Sequence, residues 1–359
     1  MLRSTVSFIP TTMSEAQYSV TAPTITCSNE DPFNNDIADI IVRSSTSHVD
    51  FRVNKTFLAV ASPVFKDMLS LPQADSEAHL SDIHIKEGLH IVPFEEEAET
   101  LAALLKLCYP GWMLLDCKPL FPTVERVLAL LTAARKYAMD GIERQLGTQL
   151  VDTRFLESQP LRIFALAMKH ELHAEARVCA KQTLKVPLLG RDYIPELEQI
   201  TAGAYHRLQD YHIKCGLVAH DVANNVKWIT RDNWVWFECS SCRWNVPVVI
   251  SGERRKFVAR WWAEYMVEAG NGLKECPSGT TIAIDSKAAD IALAKASGCS
   301  TCGPRAFAEM REFCRVFADQ VAKATEEVSF RSLRPGTCTC TRIDGSFRSF
   351  KVEMKISCH

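Results

Sequence analysis

A change in hydrophobic period within residues 35–71 constrains the fold of this chain more than any other feature. Ile40 and Val42 occupy alternate positions, as in a half-buried β-strand. After a polar turn, Phe51 and Val53 resume the alternation. The apolar residues that follow recur at helical spacing instead. The stretch therefore predicts two strands followed closely by a helix, which is the beginning of a mixed α/β domain.

A second short helix is predicted directly after the first. Ser62 is a favourable N-cap, and Pro63 suits the first helical position because the N–H that proline lacks has no helical partner there. Val64, Phe65 and Met68 then form an apolar stripe at helical spacing. The order strand, turn, strand, helix, helix is thus complete within about 35 residues.

The segments ADIIV, FRVNKTFLAVASPVF and KDML in this stretch resemble the opening of a BTB/POZ domain, and they are most similar to the versions common in fungal proteins. The resemblance implies an α/β (α+β) fold with a small sheet capped by helices. It also implies a protein that docks or dimerises through this domain. Asp39 and Lys55 match the charged pair near the BTB dimer pocket, whereas Asn54 stands where the family commonly has histidine.

The remaining sequence divides by composition and periodicity. Residues 1–34 are rich in Ser, Thr and Pro and predict a flexible leader. The BTB-like domain is expected over residues 35–152, and residues 153–227 resemble the helical extension that often follows such a domain. Within this extension, the residues from Glu196 to His212 predict an amphipathic helix. An aromatic, mostly helical region with paired cysteines is predicted over residues 228–330. Its segment NWVWFECSSCRWN is strand-like, and Phe257 is expected to begin a helical stripe. Residues 331–359 carry six Lys or Arg against two acidic residues and predict a mobile basic tail.

Composition and charge argue against several partners. The formal net charge of −2 makes nucleic acid an unlikely partner, because neutralising phosphates requires a concentrated basic surface. No stretch reaches the roughly 18 unbroken apolar residues of a membrane helix, so no membrane role is expected. The polar, interrupted N-terminus does not resemble a signal peptide. These features predict a cytoplasmic or nuclear protein, or one present in both compartments.

No familiar catalytic motif occurs in the chain. The phosphate-binding loop, the dinucleotide-binding glycine pattern, H-E-x-x-H and G-x-S-x-G are all absent from the sequence. The chain is therefore predicted not to be an enzyme. Five of the six tryptophans in the C-terminal half suggest either a ligand-binding cage or, more commonly, a packed core. These residues are Trp234, Trp236, Trp244, Trp261 and Trp262.

Two cysteine pairs suggest a metal site. Cys239 and Cys242, like Cys299 and Cys302, have the two-residue spacing that directs both thiolates at one tetrahedral ion. The four together would form an all-cysteine zinc site, although the long interval between the pairs exceeds that of a compact zinc ribbon. Gly303 is expected to free the backbone to donate amides to sulfur. Buried or free thiols remain an alternative, and a redox pair is a third.

Three functions agree with the sequence. The first is an interaction protein that forms a homodimer through the BTB-like domain. The second is a substrate adaptor that binds a cullin-type ubiquitin ligase. Such adaptors resemble one another in a motif that ends in glutamate, but the matching positions here are Leu101, Ala102 and Ala103. The third is a transcriptional regulator, although no C-x2-C…H-x3-H finger occurs.

Overall fold

The computed structural model describes residues 25–28, 32–33, 37–70, 85–110, 121–190 and 192–329, without the side chains of residues 244–246. The chain divides into two compact units, residues 1–163 and 164–359. Among the described residues, no helix combines the length and apolar character needed to cross a membrane. The predicted basic tail, residues 331–359, lies outside the described residues.

A five-stranded mixed sheet forms the first unit's framework. Its spatial order is β1-β3-β2-β5-β4. Antiparallel pairing joins β2 to β3 and β4 to β5, whereas β2 runs parallel to β5 and β1 runs parallel to β3. The strands are β1 (Thr26–Cys27), β2 (Ile40–Ser44), β3 (Val49–Val53), β4 (Ile85–Lys86) and β5 (Leu89–Phe94). Strand β1 and the buried Phe33 lie within the predicted leader, residues 1–34. The structure describes residues 25–28 and 32–33 of this leader.

Helices cover this sheet. They are α1 (Lys55–Ala61), α2 (Pro63–Ser70), α3 (Ala98–Cys108), α4 (Val124–Lys136), α5 (Asp140–Leu150) and α6 (Thr153–Leu156). Helix α7 (Pro160–Lys169) contains the division between the two units. The predicted N-cap is confirmed, since the Ser62 hydroxyl accepts the backbone N–H of Phe65 at 3.1 Å. The predicted α/β domain followed by a mostly helical remainder is likewise confirmed.

A buried carboxylate links three strands of the sheet. Asp50 in β3 lies opposite Arg43 in β2, whose Nε donates to Oδ1 at 2.6 Å. Lys86 in β4 donates to Oδ2 of Asp50 at 2.8 Å. Burial raises the pKa of Asp50, but the hydrogen bonds from Arg43 and Lys86 outweigh burial and hold this pKa below its ordinary value. The ionised carboxylate therefore stabilises the folded sheet.

We predict that Asp50→Asn lowers the free energy of unfolding of the first unit by about 3 kcal/mol at neutral pH, because two cations lose a buried partner. Since the folded pKa lies below the unfolded one, the carboxylate's contribution is complete above about pH 4 and is lost as pH falls through the folded pKa. Urea denaturation against pH measures both effects. Glu99→Gln, which alters an exposed pair with Arg126, is the control and should cost less than about 1 kcal/mol. Equal losses in the two variants would contradict the role of Asp50.

The second unit is mainly helical and contains one two-stranded sheet. Its helices are α8 (His173–Thr183), α9 (Ala202–Asn224), α10 (Val235–Glu238), α11 (Arg260–Glu275), α12 (Lys287–Ser297) and α13 (Gly303–Glu326). Strands β6 (Arg243–Ile250) and β7 (Arg254–Ala259) pair antiparallel.

Three local expectations for the second unit were wrong. The helix expected from Glu196 to His212 is divided into a short 3₁₀ turn and α9, because Thr201 caps a new helix by accepting the N–H of Ala204. The strand-like aromatic segment is instead the helix α10 before the strand begins at Arg243. Phe257, expected on a helical stripe, lies in β7. Tertiary packing overrides local propensity at α10 and at Phe257, whereas the local cap at Thr201 divides the first segment.

A glycine permits close packing of the two helices α9 and α11. Gly216 in α9 faces the backbone of Lys274 in α11, and a Cβ at Gly216 would overlap the Lys274 carbonyl oxygen. Neither backbone can move without disturbing the core that both helices share. Glycine is therefore required here by space, since a helix interior otherwise favours alanine.

Gly216→Ala should lower the free energy of unfolding of the second unit by about 1–3 kcal/mol, because overpacking forces the backbones apart. Thermal and urea denaturation measure the loss. Gly203→Ala on the same helix is the matched control, since its Cβ would meet side-chain atoms only, the Arg207 guanidinium at 3.4 Å and the Thr201 hydroxyl at 3.9 Å. The control should be neutral or slightly stabilising. A Gly216→Ala protein as stable as the control would refute the close contact.

Candidate functional site

The two cysteine pairs lie at the ends of helices that pack together. Cys239 follows the last residue of α10, and its N–H donates to the carbonyl oxygen of Val235 at 2.9 Å. Cys299 lies in the turn after α12, and Cys302 directly precedes α13. The backbone N–H groups of Arg305 and Ala306 donate to the Cys302 carbonyl oxygen, so Cys302 begins that helix. Helix packing therefore sets the distance between the pairs.

The structure brings all four sulfurs together. The Sγ atoms of Cys239, Cys242, Cys299 and Cys302 lie within 4.8 Å of one another. Cys239 and Cys299, which belong to different pairs, have Sγ atoms 3.7 Å apart. Zn–S bonds of about 2.3 Å imply sulfur separations of about 3.8 Å in a tetrahedral site. The four thiols therefore fit around one metal ion of this size.

Aromatic packing holds the helices that carry the cysteines. Trp236 in α10 stacks on Trp262 in α11, with ring centroids 5.8 Å apart. Phe313 in α13 contacts both rings edge-on, at 5.2 and 5.7 Å. All three side chains are buried. Trp234 and Trp261 are buried in the same cluster as Trp236 and Trp262, so these four tryptophans form part of the packed core. The side chain of Trp244 lies outside the described residues.

Polar contacts fix α10 against the first turns of α13. The carboxylate of Glu309 accepts the backbone N–H of Val235 at 2.6 Å. Arg305 donates to Glu309 at 2.8 Å and to Glu238 at 2.7 Å. The Val235 amide belongs to the first turn of α10, where a helix leaves its N–H groups without helical partners. These bonds hold Cys239 beside the turn that contains Cys299 and Cys302.

Hydrogen bonds to the sulfurs make the four thiols unequal. The backbone N–H of Cys302 and the thiol of Cys242 lower the pKa of Cys299 to about 6. Burial raises the pKa of Cys242 to about 12. Burial also raises the pKa of Cys302, although the Trp261 indole N–H donates to its sulfur at 3.4 Å. Four thiolates in so small a volume repel one another, and a bound cation would remove that repulsion.

Gly303 closes the turn that contains the second cysteine pair. Its N–H donates to the carbonyl oxygen of Cys299 at 2.8 Å and not to sulfur. The backbone hydrogen bonds to the Cys299 sulfur come from Thr301 and Cys302. A Cβ at Gly303 would lie 3.2 Å from the Ser297 carbonyl oxygen, so this glycine keeps the turn tight.

Asp39 and Lys55 lie together at the start of α1. The backbone N–H of Lys55 donates to Oδ1 of Asp39 at 2.7 Å, and the Lys55 ammonium lies 3.9 Å from Oδ2. Asn54 caps α1 by accepting the N–H of Thr56 at 2.9 Å. Asn54 therefore has a defined structural role at the position where the resemblance suggested histidine. Both charged side chains remain partly exposed.

An apolar surface is exposed on α1 and α2 of the first unit. Val60 near the end of α1 is 84% exposed. Val64 and Met68 lie one turn apart on α2 and are 42% and 36% exposed. We call these three side chains the α1–α2 apolar face. Apolar side chains exposed on two helices that contact each other are a candidate protein contact surface.

Sequence reasoning missed the groups that support the cysteine cluster. Arg305 and Glu309 were visible as an ion pair spaced i, i+4 on a helix, which is usually a surface feature. Nothing in their spacing indicated that Glu309 binds an amide 74 residues away. The indole bond from Trp261 to Cys302 was equally hidden, because it depends on how α11 packs.

Comparison with known proteins bears on the first unit. The BTB/POZ domain family model matches residues 29–154. A search of curated proteins finds no match to the chain. The matched residues contain strands β2 to β5 and helices α1 to α5. Residues 29–154 are therefore a BTB/POZ domain, a module for protein–protein interaction.

Proposed function

We propose that this protein works as an interaction scaffold that forms a homodimer through its BTB domain. The α1–α2 apolar face carries the proposal, because Val60, Val64 and Met68 present apolar surface to water on a domain of a kind that commonly self-associates. Pairing this face with the same face of a second copy would bury that surface in an isologous contact. Burial of apolar area is the main driving force for such association.

Asp39 and Lys55 are proposed to border the dimer contact. Their ion pair is anchored by the backbone hydrogen bond to Asp39 and is only partly exposed. Charges at the rim of an apolar contact favour one orientation of the partners more than they add affinity. We therefore expect the α1–α2 apolar face to contribute more to the affinity of the dimer than the charged pair does.

The full-length protein should elute as a dimer, at twice the 40.2 kDa of one chain. Val60→Asp with Val64→Asp should weaken dimerisation at least about tenfold, since both carboxylates would lose water on pairing. Light scattering over a dilution series measures the shift. Val178→Asp, which alters a 45% exposed valine on α8, is the control and should leave the dimer intact. A wild-type protein that stays monomeric at micromolar concentration would refute the proposal.

We further propose that Cys239, Cys242, Cys299 and Cys302 bind one zinc ion with a structural role. Four sulfurs within 4.8 Å of one another leave no coordination position open for a substrate or water. The ion would join the end of α10 to the start of α13, which are distant in sequence. Such a link stabilises the folded unit because the unfolded chain cannot hold the four ligands together.

Metal analysis of purified protein should find about one zinc ion per chain. Cys302→Ser should lose most of this zinc and should lower the melting temperature of the second unit by about 10 °C. Cys179→Ser is the matched control, since Cys179 is a buried thiol of the same unit outside the cluster. The control should lose stability from its buried hydroxyl and keep its zinc. Metal-free protein whose clustered thiols oxidise readily would favour the redox alternative.

The two other functions considered from sequence receive less support. Leu101, Ala102 and Ala103, at the positions that correspond to the cullin-recognition motif of adaptors, are all buried in α3. These side chains therefore offer a cullin no contact. A role in transcription would require a DNA-reading element, and the cysteine cluster contains no histidine of a C-x2-C…H-x3-H finger. Neither function forms part of the proposal.

A further inference from the structure

The hairpin β6–β7, directly after Cys242, has two chemically different faces. Side chains alternate along β7, so Arg254, Lys256 and Val258 lie on one face and Arg255 and Phe257 lie on the other. Val258 is buried, which makes the first face the inner one. Phe257 is 45% exposed on the outer face. An exposed phenylalanine on a charged strand needs a physical reason.

The two faces of the hairpin differ in how their cationic side chains are paired. Arg254 and Lys256 both pair with Asp232, at 2.7 and 3.3 Å. On the outer face, the Arg243 guanidinium lies over the ring of Phe257, with Cζ 5.5 Å from the centroid. Within the described part of the chain, neither Arg243 nor Arg255 has a carboxylate within ion-pair distance. We call Arg243, Arg255 and Phe257 the hairpin face.

We propose that the hairpin face binds an extended acidic segment of a partner protein. Arg255 and Phe257 lie two residues apart on one face of β7, a spacing of about 6.6 Å along the strand, and the Arg243 guanidinium lies over the Phe257 ring. Two carboxylates at positions i and i+2 of an extended peptide have the same separation. Each guanidinium matches a carboxylate in a two-pronged hydrogen bond, and Phe257 supplies apolar contact beside it.

The charge distribution favours a peptide over nucleic acid. Among the described residues, two cations of the hairpin lack an acidic partner, and a polyanion requires many more to bind firmly. The net charge of −2 on the whole chain also disfavours nucleic acid as the partner. The proposal does not depend on the dimer or on zinc occupancy.

The test uses full-length protein and a fluorescein-labelled peptide TVEVETV, with TVQVQTV as the uncharged comparison. Fluorescence anisotropy should detect binding of the acidic peptide only, and added salt should weaken it. Arg243→Gln with Arg255→Gln should reduce affinity at least about tenfold. Arg311→Gln with Arg315→Gln removes the same charge from exposed positions on α13 and should leave affinity within about twofold.

Three results would overturn the proposal. The first is equal binding of the glutamate and glutamine peptides, or no binding of either. The second is unchanged affinity in the Arg243→Gln, Arg255→Gln protein, with circular dichroism showing that it is folded. The third is tighter binding of a single-stranded oligonucleotide than of the acidic peptide through the same arginines, which would assign the face to nucleic acid.

Discussion

The buried contact of Phe313 with the stacked rings of Trp236 and Trp262 is the one on which the second unit depends. These three rings join α10, α11 and α13, which are far apart in sequence. Aromatic side chains bury more apolar area than other residues, and edge-on contacts add a favourable electrostatic term. Because Cys239 ends α10 and Cys302 begins α13, the same packing determines where the cysteines lie. The candidate metal site is thus a consequence of the core and not a separate motif.

The metal site and the core support one another in the proposed function. Core packing brings the thiols near enough to share one ion, and it also places two of them where burial disfavours their charge. A bound cation would offset that cost and would tie the short helix α10 to a long one. The Glu309 carboxylate, bound to the Val235 amide, limits the movement of α10 whether or not an ion is bound. Core packing would then contribute more to the stability of the second unit than the bound metal does.

The BTB domain and the hairpin face suggest two different kinds of contact. On the domain, the α1–α2 apolar face suits a symmetric partner, since apolar surface carries little information about identity. On the hairpin, two arginines that pair with no carboxylate in the described part of the chain suit a partner of opposite charge. A scaffold that pairs through one surface and selects through another would need both kinds of chemistry. The proposed contacts are independent, so each can be removed without altering the other.

The sequence alone determined the elements that depend on local pattern. The period change before α1, the Ser62 cap and the two-residue cysteine spacing are all set by neighbouring residues, and each has its predicted local geometry. Tertiary structure decided the rest. It made α10 a helix within a strand-like sequence, moved Phe257 into β7, and joined two cysteine pairs across about 60 residues. Those outcomes depend on which surfaces are buried together, and burial is a property of the whole unit that no local window of sequence contains.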